Sequence, residues 1–333
     1  MSRQLQQFKE QMENGRLAQS FLVVGPEKTG KFDTVVKMAG LLNNFDDEQV
    51  GLARKGEIAD IILVETEISK NKTENNDRGN NIKSRESETI KSEKQIESVN
   101  RLKTRKLKNS ITKENIDDVM TSINLKNFQF QKKVLIIKEA NKMTNTAVNS
   151  LLKLIEEPNK DLVIFLLVNN EDDILATVKS RCQIIRFSFK EDKKISEFVK
   201  NNYANIENEV LQDIVSLSGG RIELAREYAT DIKKMKLAKE VRDKFRKALR
   251  SGKIEQIKLV DELVKNEDNF LWVINEWIWY LKDFLEKNIK DGQSELVIKK
   301  VYDILNKLLE TRELIQNSNA NKKIQLENFF VQI

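Results

Sequence analysis

Two hydrophobic periods run along this chain, and the place where one of them stops divides it. In the first 190 residues, short unbroken apolar runs alternate with stretches of helical spacing. The runs FLVVG at 21–25, ADIILVE at 59–65, VLII at 134–137 and LVIFLLV at 162–168 read as strands buried on both faces. Between them lie helical patterns: QLQQFKEQMENG, closed by Gly15; FDTVVKMAGLLN; ITKENIDDVMTSINLK, capped by Thr112 with Asn115 and Ile116 in its first turn; and LLKLIEE, ended by Pro158. Such alternation predicts an α/β layer built on a parallel sheet. After Phe189 the strand signal ends. KKISEFVKNNY, NEVLQDIVSLSGG and RIELAREYA predict a small helical domain over 190–231, and the rest predicts a helical domain over 232–333. The aromatic segment WVINEWIWYL in the last part is either the core of that domain or an interface, since Trp and Tyr bury large areas in both settings.

One stretch of the first domain, 1–189, breaks the pattern. Residues 69–109 are rich in Asn, Lys, Glu and Ser and hold no aromatic residue. They cannot bury enough apolar surface to offset the entropy of ordering, and a disordered or loosely helical insertion is expected. Its KTRKLK run suits either a solvated tract or a phosphate contact. The whole chain, 333 residues with 58 Lys+Arg against 52 Asp+Glu, carries a formal charge of +6, which permits nucleic-acid contact without requiring it. With one cysteine and no histidine, there is no internal disulfide, no thiolate or imidazole zinc site and no histidine acid–base chemistry. No apolar run is long enough to span a membrane, and no secretory leader is seen, so the cytoplasm is the expected compartment.

The first strand feeds Gly25-Pro26-Glu27-Lys28-Thr29-Gly30-Lys31-Phe32, a match to the GxxxxGK phosphate loop without its final hydroxyl. In such a loop, backbone N–H groups around Gly25, Thr29 and Gly30 cradle phosphates at a helix N-terminus, and Lys31 meets the terminal phosphates. The next residue should bind Mg²⁺, and Phe32 has no oxygen to offer. The strand VLII should end in a magnesium-positioning Asp before a catalytic Glu, and it runs instead into Lys138-Glu139. An ammonium there repels a cation. Two lost metal contacts argue against hydrolysis by this chain. The loop either holds ATP or ADP without hydrolysing it or survives as a relic that shapes the fold.

Arg181, in Ser180-Arg181-Cys182, does not depend on that local defect. Its guanidinium is either a surface charge paired with an acid or a group that stabilises a transferring phosphoryl in trans. Asn169 is a strand-end residue where related ATPases sense the γ-phosphate, Arg221 a structural or weakly binding arginine, and Cys182 a packing residue.

Taken in order, GRLAQSFLVVGPEKTGK, KVLIIKEANKMT, NSLLKLIEEP, TVKSRCQ and NANKKIQLENFF resemble the delta-prime family of bacterial DNA polymerase III clamp loaders. The resemblance covers nearly all of the chain outside 69–109. It implies an AAA+ P-loop domain, a helical lid (190–231) and a helical collar (232–333) that joins a ring of five subunits. It also implies an ATPase-inactive subunit within the polymerase holoenzyme, with Arg181 reaching the ATP site of an adjacent gamma/tau-type ATPase. The implied partners are that ATPase, the clamp-opening delta subunit, the sliding clamp and primed DNA. Many relatives carry a four-cysteine zinc module after the P-loop helix; here NNFDDEQVGLARKGEIAD has no cysteine, and no zinc is expected. Two other functions compete: an active P-loop motor subunit of the same loader, against which Phe32 and Lys138 speak, and a degenerate AAA+ adaptor that binds DNA by itself.

Overall fold

The computed structural model describes residues 3–67, 104–108, 110–124, 130–157, 159–265, 269–317 and 321–333. They form two units, Met1–Ser188 and Phe189–Ile333. In the first unit the described strands are β1 (Ser20–Val24), β2 (Ile61–Glu67), β3 (Thr104–Lys108), β4 (Lys133–Ile137), β5 (Leu162–Val168) and β6 (Gln183–Arg186). They make one sheet in the order β3-β2-β4-β5-β1-β6, with every pairing parallel.

The unbroken apolar runs arise because helices cover both sheet faces. On one face, Leu22, Val24, Leu135, Ile137, Ile164 and Leu166 pack with residues of α4 (Lys113–Asn124) and α5 (Asn145–Glu156). On the other, Phe21, Val23, Val134, Ile136, Val163 and Phe165 pack with α1 (Arg3–Glu13), α2 (Lys31–Asn43) and α3 (Asp47–Lys55). Odd and even positions of β1, β4 and β5 take opposite faces, as the pleat requires, and both faces are buried. Gly15 closes α1 at φ 64, where a side chain would be strained. Thr112 and Asn115 tie the start of α4 together, the Thr112 N–H and hydroxyl both donating to Asn115 Oδ1 at 2.9 Å.

Most of the expected insertion, residues 69–103 and Asn109, lies outside the described residues, as does Pro158. Residues 104–108 correct that expectation. TRKLK is neither disordered nor helical but edge strand β3, in register from Leu63↔Thr104 to Glu67↔Lys108. A backbone ladder does not require an apolar run in the sequence.

The second unit is helical throughout its described residues: α7 (Asp192–Asn202) to α14 (Lys322–Gln332), following the short α6 (Ala176–Lys179) of the first unit. One apolar cluster gathers Ile195, Val199, Leu211, Ile214, Tyr228 and Met235. A second gathers Phe245, Trp277, Leu308, Leu326 and Phe329. Trp277 is fully buried and stacks on Phe245 with ring centroids 4.4 Å apart, so the centre of the aromatic segment belongs to this unit's own core.

Candidate phosphate loop and arginine site

The sheet register assembles the phosphate loop. Val24 of β1 lies opposite Val168 of β5, so the residues that follow both strands meet beyond the carboxyl edge, where ligands of open α/β sheets bind. Gly25 donates its N–H to Val168 O at 3.2 Å. A Cβ on Gly25 would stand 2.5 Å from Phe187 O, so the loop requires glycine there. Lys28 (φ 62) and Gly30 (φ 91) adopt left-handed backbone and turn the chain into α2.

Within this turn the polar groups satisfy one another. Thr29, buried, donates its hydroxyl to Pro26 O at 2.7 Å. Lys31 is also buried. Its ammonium donates to the carbonyl oxygens of Gly25 and, at 2.7 Å, Pro26, and reaches Asn169 Oδ1 at 3.2 Å. Asn169 in turn donates to Glu27 Oε1 at 3.1 Å. The lysine that would meet terminal phosphates is folded onto its own loop, and Asn169 braces it.

The expected metal position is filled in another way. Lys138 Nζ sits 3.6 Å from the centroid of the Phe32 ring and 2.8 Å from Glu65 Oε2. β2 and β4 run in register up to Val64↔Ile137, which places Glu65 beside Lys138. An ammonium over an aromatic face is held by the ring quadrupole. Here, one intramolecular cation, a phenyl ring and a carboxylate occupy the place where a hydroxyl and a carboxylate would otherwise hold Mg²⁺. These residues do not fit the ion. Glu139, at φ 51, is engaged as well: Thr66 donates its hydroxyl to Oε2, and Lys142 Nζ lies 2.8 Å from Oε1. Among the described residues no group of three or more His, Cys, Asp or Glu side chains is placed to hold a metal.

Gly25, Thr29, Gly30 and Lys31 therefore come together, with Asn169 beside them. Arg181 has other partners. It follows α6, its side chain is 42% exposed, and its Nε lies 2.9 Å from Glu156 Oε1 at the end of α5. Its Nη1 donates to Thr177 O at 3.1 Å and to Ser180 Oγ at 3.2 Å. Sequence reasoning did not identify Glu156, Glu65 or Thr66. Glu65 could have been found, because an acid ends one strand where a lysine ends its neighbour; nothing in LIEEP distinguishes Glu156.

Cys182 packs against the apolar cluster beneath α5, and burial pushes its thiol up to about 11. At pH 8 the thiolate fraction is then about 100-fold below that of a free thiol, and only the thiolate reacts. Iodoacetamide is expected to label native Cys182 about 100-fold more slowly than the urea-unfolded chain after correction for denaturant, which mass spectrometry measures. Arg221 is structural: it is 3% exposed, bonded to Asp283 Oδ1 at 2.6 Å and laid over the Phe189 ring at 4.7 Å.

The family described as "DNA polymerase III, delta subunit" matches residues 1–191, more than half of the chain. DNA polymerase III subunit delta' of Bacillus subtilis is 38% identical over 88 residues, 26% of this chain and 27% of that protein. DNA polymerase III subunit gamma/tau of Mycoplasma genitalium is 29% identical over 173 residues, 45% of this chain and 28% of that protein. The matches thus span less than a third of these relatives' length. A gamma subunit-related protein of Thermotoga maritima, of known structure, aligns over 99% of this chain and 98% of its own at 15% identity. Its TM-score of 0.46 is too low to bear on function.

Proposed function

Because the chain belongs to the DNA polymerase III delta-subunit family, we propose that it is a non-catalytic clamp-loader subunit of DNA replication. In this reading it supplies Arg181 in trans to the ATP site of a neighbouring gamma/tau-type ATPase. It assembles with that ATPase and a clamp-opening delta subunit and acts with them on a sliding clamp and primed DNA in the cytoplasm.

The observation that carries the reading is the contrast between the two sites. The local phosphate loop is bonded to itself, with Lys31 on its own carbonyls and Lys138 on Phe32. Arg181 stands at the surface, carried by an element that makes none of those bonds. A guanidinium stabilises the charge on transferring phosphoryl oxygens wherever it is delivered, so it retains its use when the local metal site is lost. The three-domain reading is also part of the proposal: 1–189 as the AAA+ domain, 190–231 as the lid and 232–333 as the collar. Ile254, Leu296 and Val331 are 71%, 64% and 65% exposed in the last of these, and burying such side chains is what a collar interface supplies.

The isolated chain supplies one test. Purified alone, it is expected to hydrolyse no ATP above background, and 5 mM ATP or ADP is expected to shift its melting temperature equally little with Mg²⁺ or with EDTA. A ligand that binds the native state with a Kd far below its concentration raises the melting temperature by mass action. DNA-stimulated turnover, or a Mg²⁺-dependent shift of several degrees, would favour the active-motor reading. Tight, salt-sensitive DNA binding by the lone chain would favour the adaptor.

A further inference from the structure

We infer that Glu156 is a positioning residue for the arginine, holding the Nε side of the Arg181 guanidinium and so fixing where its Nη2 group is presented; this rests on the in-trans role proposed above.

The geometry is a three-point clamp made by residues of the same unit. Glu156 Oε1 takes the Nε side at 2.9 Å. The Thr177 carbonyl and the Ser180 hydroxyl take Nη1 at 3.1 and 3.2 Å. Ser180 is fixed in turn, donating its hydroxyl to Thr177 O at 3.1 Å. Among the described contacts, Nη1 makes both hydrogen bonds and Nε faces Glu156, and none falls on Nη2. The mounting is firm: Ser180 N bonds to Ala176 O at 3.0 Å, Arg181 N bonds to Val178 O at 3.1 Å, and Val178 is fully buried.

Stability does not explain the pair. Arg181 and Glu156 are 42% and 48% exposed, and ion pairs at such exposure contribute little to folding. Catalysis does offer an explanation. A free arginine samples many rotamers, and ordering it at the moment of phosphoryl transfer adds to the barrier. Glu156 is the last residue of α5, whose N-cap Thr144 accepts from Ala147 N and whose face of Leu151, Leu154 and Ile155 is buried on the sheet. The carboxylate is thereby carried by the core rather than by the loop that bears the arginine. It is placed to keep the guanidinium turned and extended, with no contact to substrate of its own.

The test uses the reconstituted loader with its clamp and primed DNA, comparing Arg181→Ala, Glu156→Ala, Glu156→Gln and the double variant Arg181→Ala/Glu156→Ala. Glu156→Ala is expected to lower kcat on the order of 10-fold with KM for ATP unchanged. Glu156→Gln, which keeps the shape but not the charge that faces Nε, is expected to recover little of that loss. In the Arg181→Ala background, Glu156→Ala is expected to change nothing further. A wild-type rate for Glu156→Ala alongside a large loss for Arg181→Ala would overturn the positioning role and leave the in-trans role standing. Full activity of Arg181→Ala would overturn the in-trans role itself. An equal further loss from Glu156→Ala with and without Arg181 would show that the carboxylate acts elsewhere and would also overturn the inference. Melting temperatures and gel filtration of each complex separate these outcomes from loss of assembly.

Discussion

Arg181→Ala is expected to lower the clamp- and DNA-stimulated ATPase rate of the assembled loader on the order of 10³-fold or more, with assembly intact. The magnitude follows from what a trans guanidinium does in phosphoryl transfer: it meets charge that is larger in the transition state than in bound ATP, so its loss falls on kcat. Folding should be unaffected. The side chain is 42% exposed, and its partners Glu156, Ser180 and the Thr177 carbonyl can all turn to water when it is removed. Arg181→Lys is expected to recover little, because a lysine ammonium cannot keep Nε on Glu156 while presenting a second nitrogen outward. Steady-state ATPase rates, with gel filtration of each complex, measure both halves. A rate within threefold of wild type would remove Arg181 from the neighbour's chemistry.

Glu276→Ala is expected to destabilise the helical unit by about 3–5 kcal/mol. Glu276 lies on α12 (Phe270–Lys290) and is wholly buried. Its carboxylate meets Arg242 Nε at 3.0 Å and Nη2 at 2.9 Å, and the Tyr228 hydroxyl donates to it at 3.2 Å. Arg242 comes from α10 (Ile232–Arg250) and Tyr228 from α9 (Ile222–Thr230), so three helices meet on one carboxylate. Burial raises the Glu276 carboxyl above its ordinary range, while Arg242 opposes that shift. Removing only the carboxylate leaves the Arg242 charge buried with Leu217 O at 2.8 Å and Asp283 at 3.7 Å. Replacing both partners by apolar groups, as in Arg242→Met/Glu276→Leu, removes the stranded charge and should cost less than Glu276→Ala alone. All three tryptophans, Trp272, Trp277 and Trp279, lie on α12, so their fluorescence in urea reports on this unit. A single variant no weaker than the double would show that the pair is not what holds these helices.

The same cluster sets an alkaline limit. Burial, followed by the nearby Glu276 charge, raises the Tyr228 hydroxyl well above its ordinary value of 10.0. The folded chain then keeps a proton that the unfolded chain releases. Stability should therefore fall as pH rises above 10, by about 1.4 kcal/mol per pH unit, until the folded value is reached. Tyr228→Phe should remove that part of the slope.

How legible this protein is in its sequence depends on whether a feature repeats along the chain or is made by distant residues. Buried strands repeat apolar residues with no polar break, so β1, β2, β4 and β5 could be read directly. The phosphate loop is contiguous, and so are its defects at Phe32 and Lys138. Strand β3 could not be read, because a backbone ladder to β2 leaves no apolar run in TRKLK to mark it. The Glu156–Arg181 pair is 25 positions apart and rests on where α5 ends relative to α6, a tertiary fact with no periodic trace. The Lys138–Phe32 contact is similar: both residues were seen as losses, and only the register of β1, β5 and β4 shows that each is the other's partner.

That contact also bears on how the chain would respond to the energy state of the cell. A ligand shifts a conformational equilibrium only through unequal affinity for its states. In the proposed reading, with Lys31 tied to its own turn and an internal ammonium where a divalent ion would sit, neither ATP nor ADP is expected to have a differential hold on this chain through its phosphate loop. Its populations would then stay the same at any ATP:ADP ratio. In the proposed loader, any cycling it takes part in would then be timed by the neighbouring ATPases.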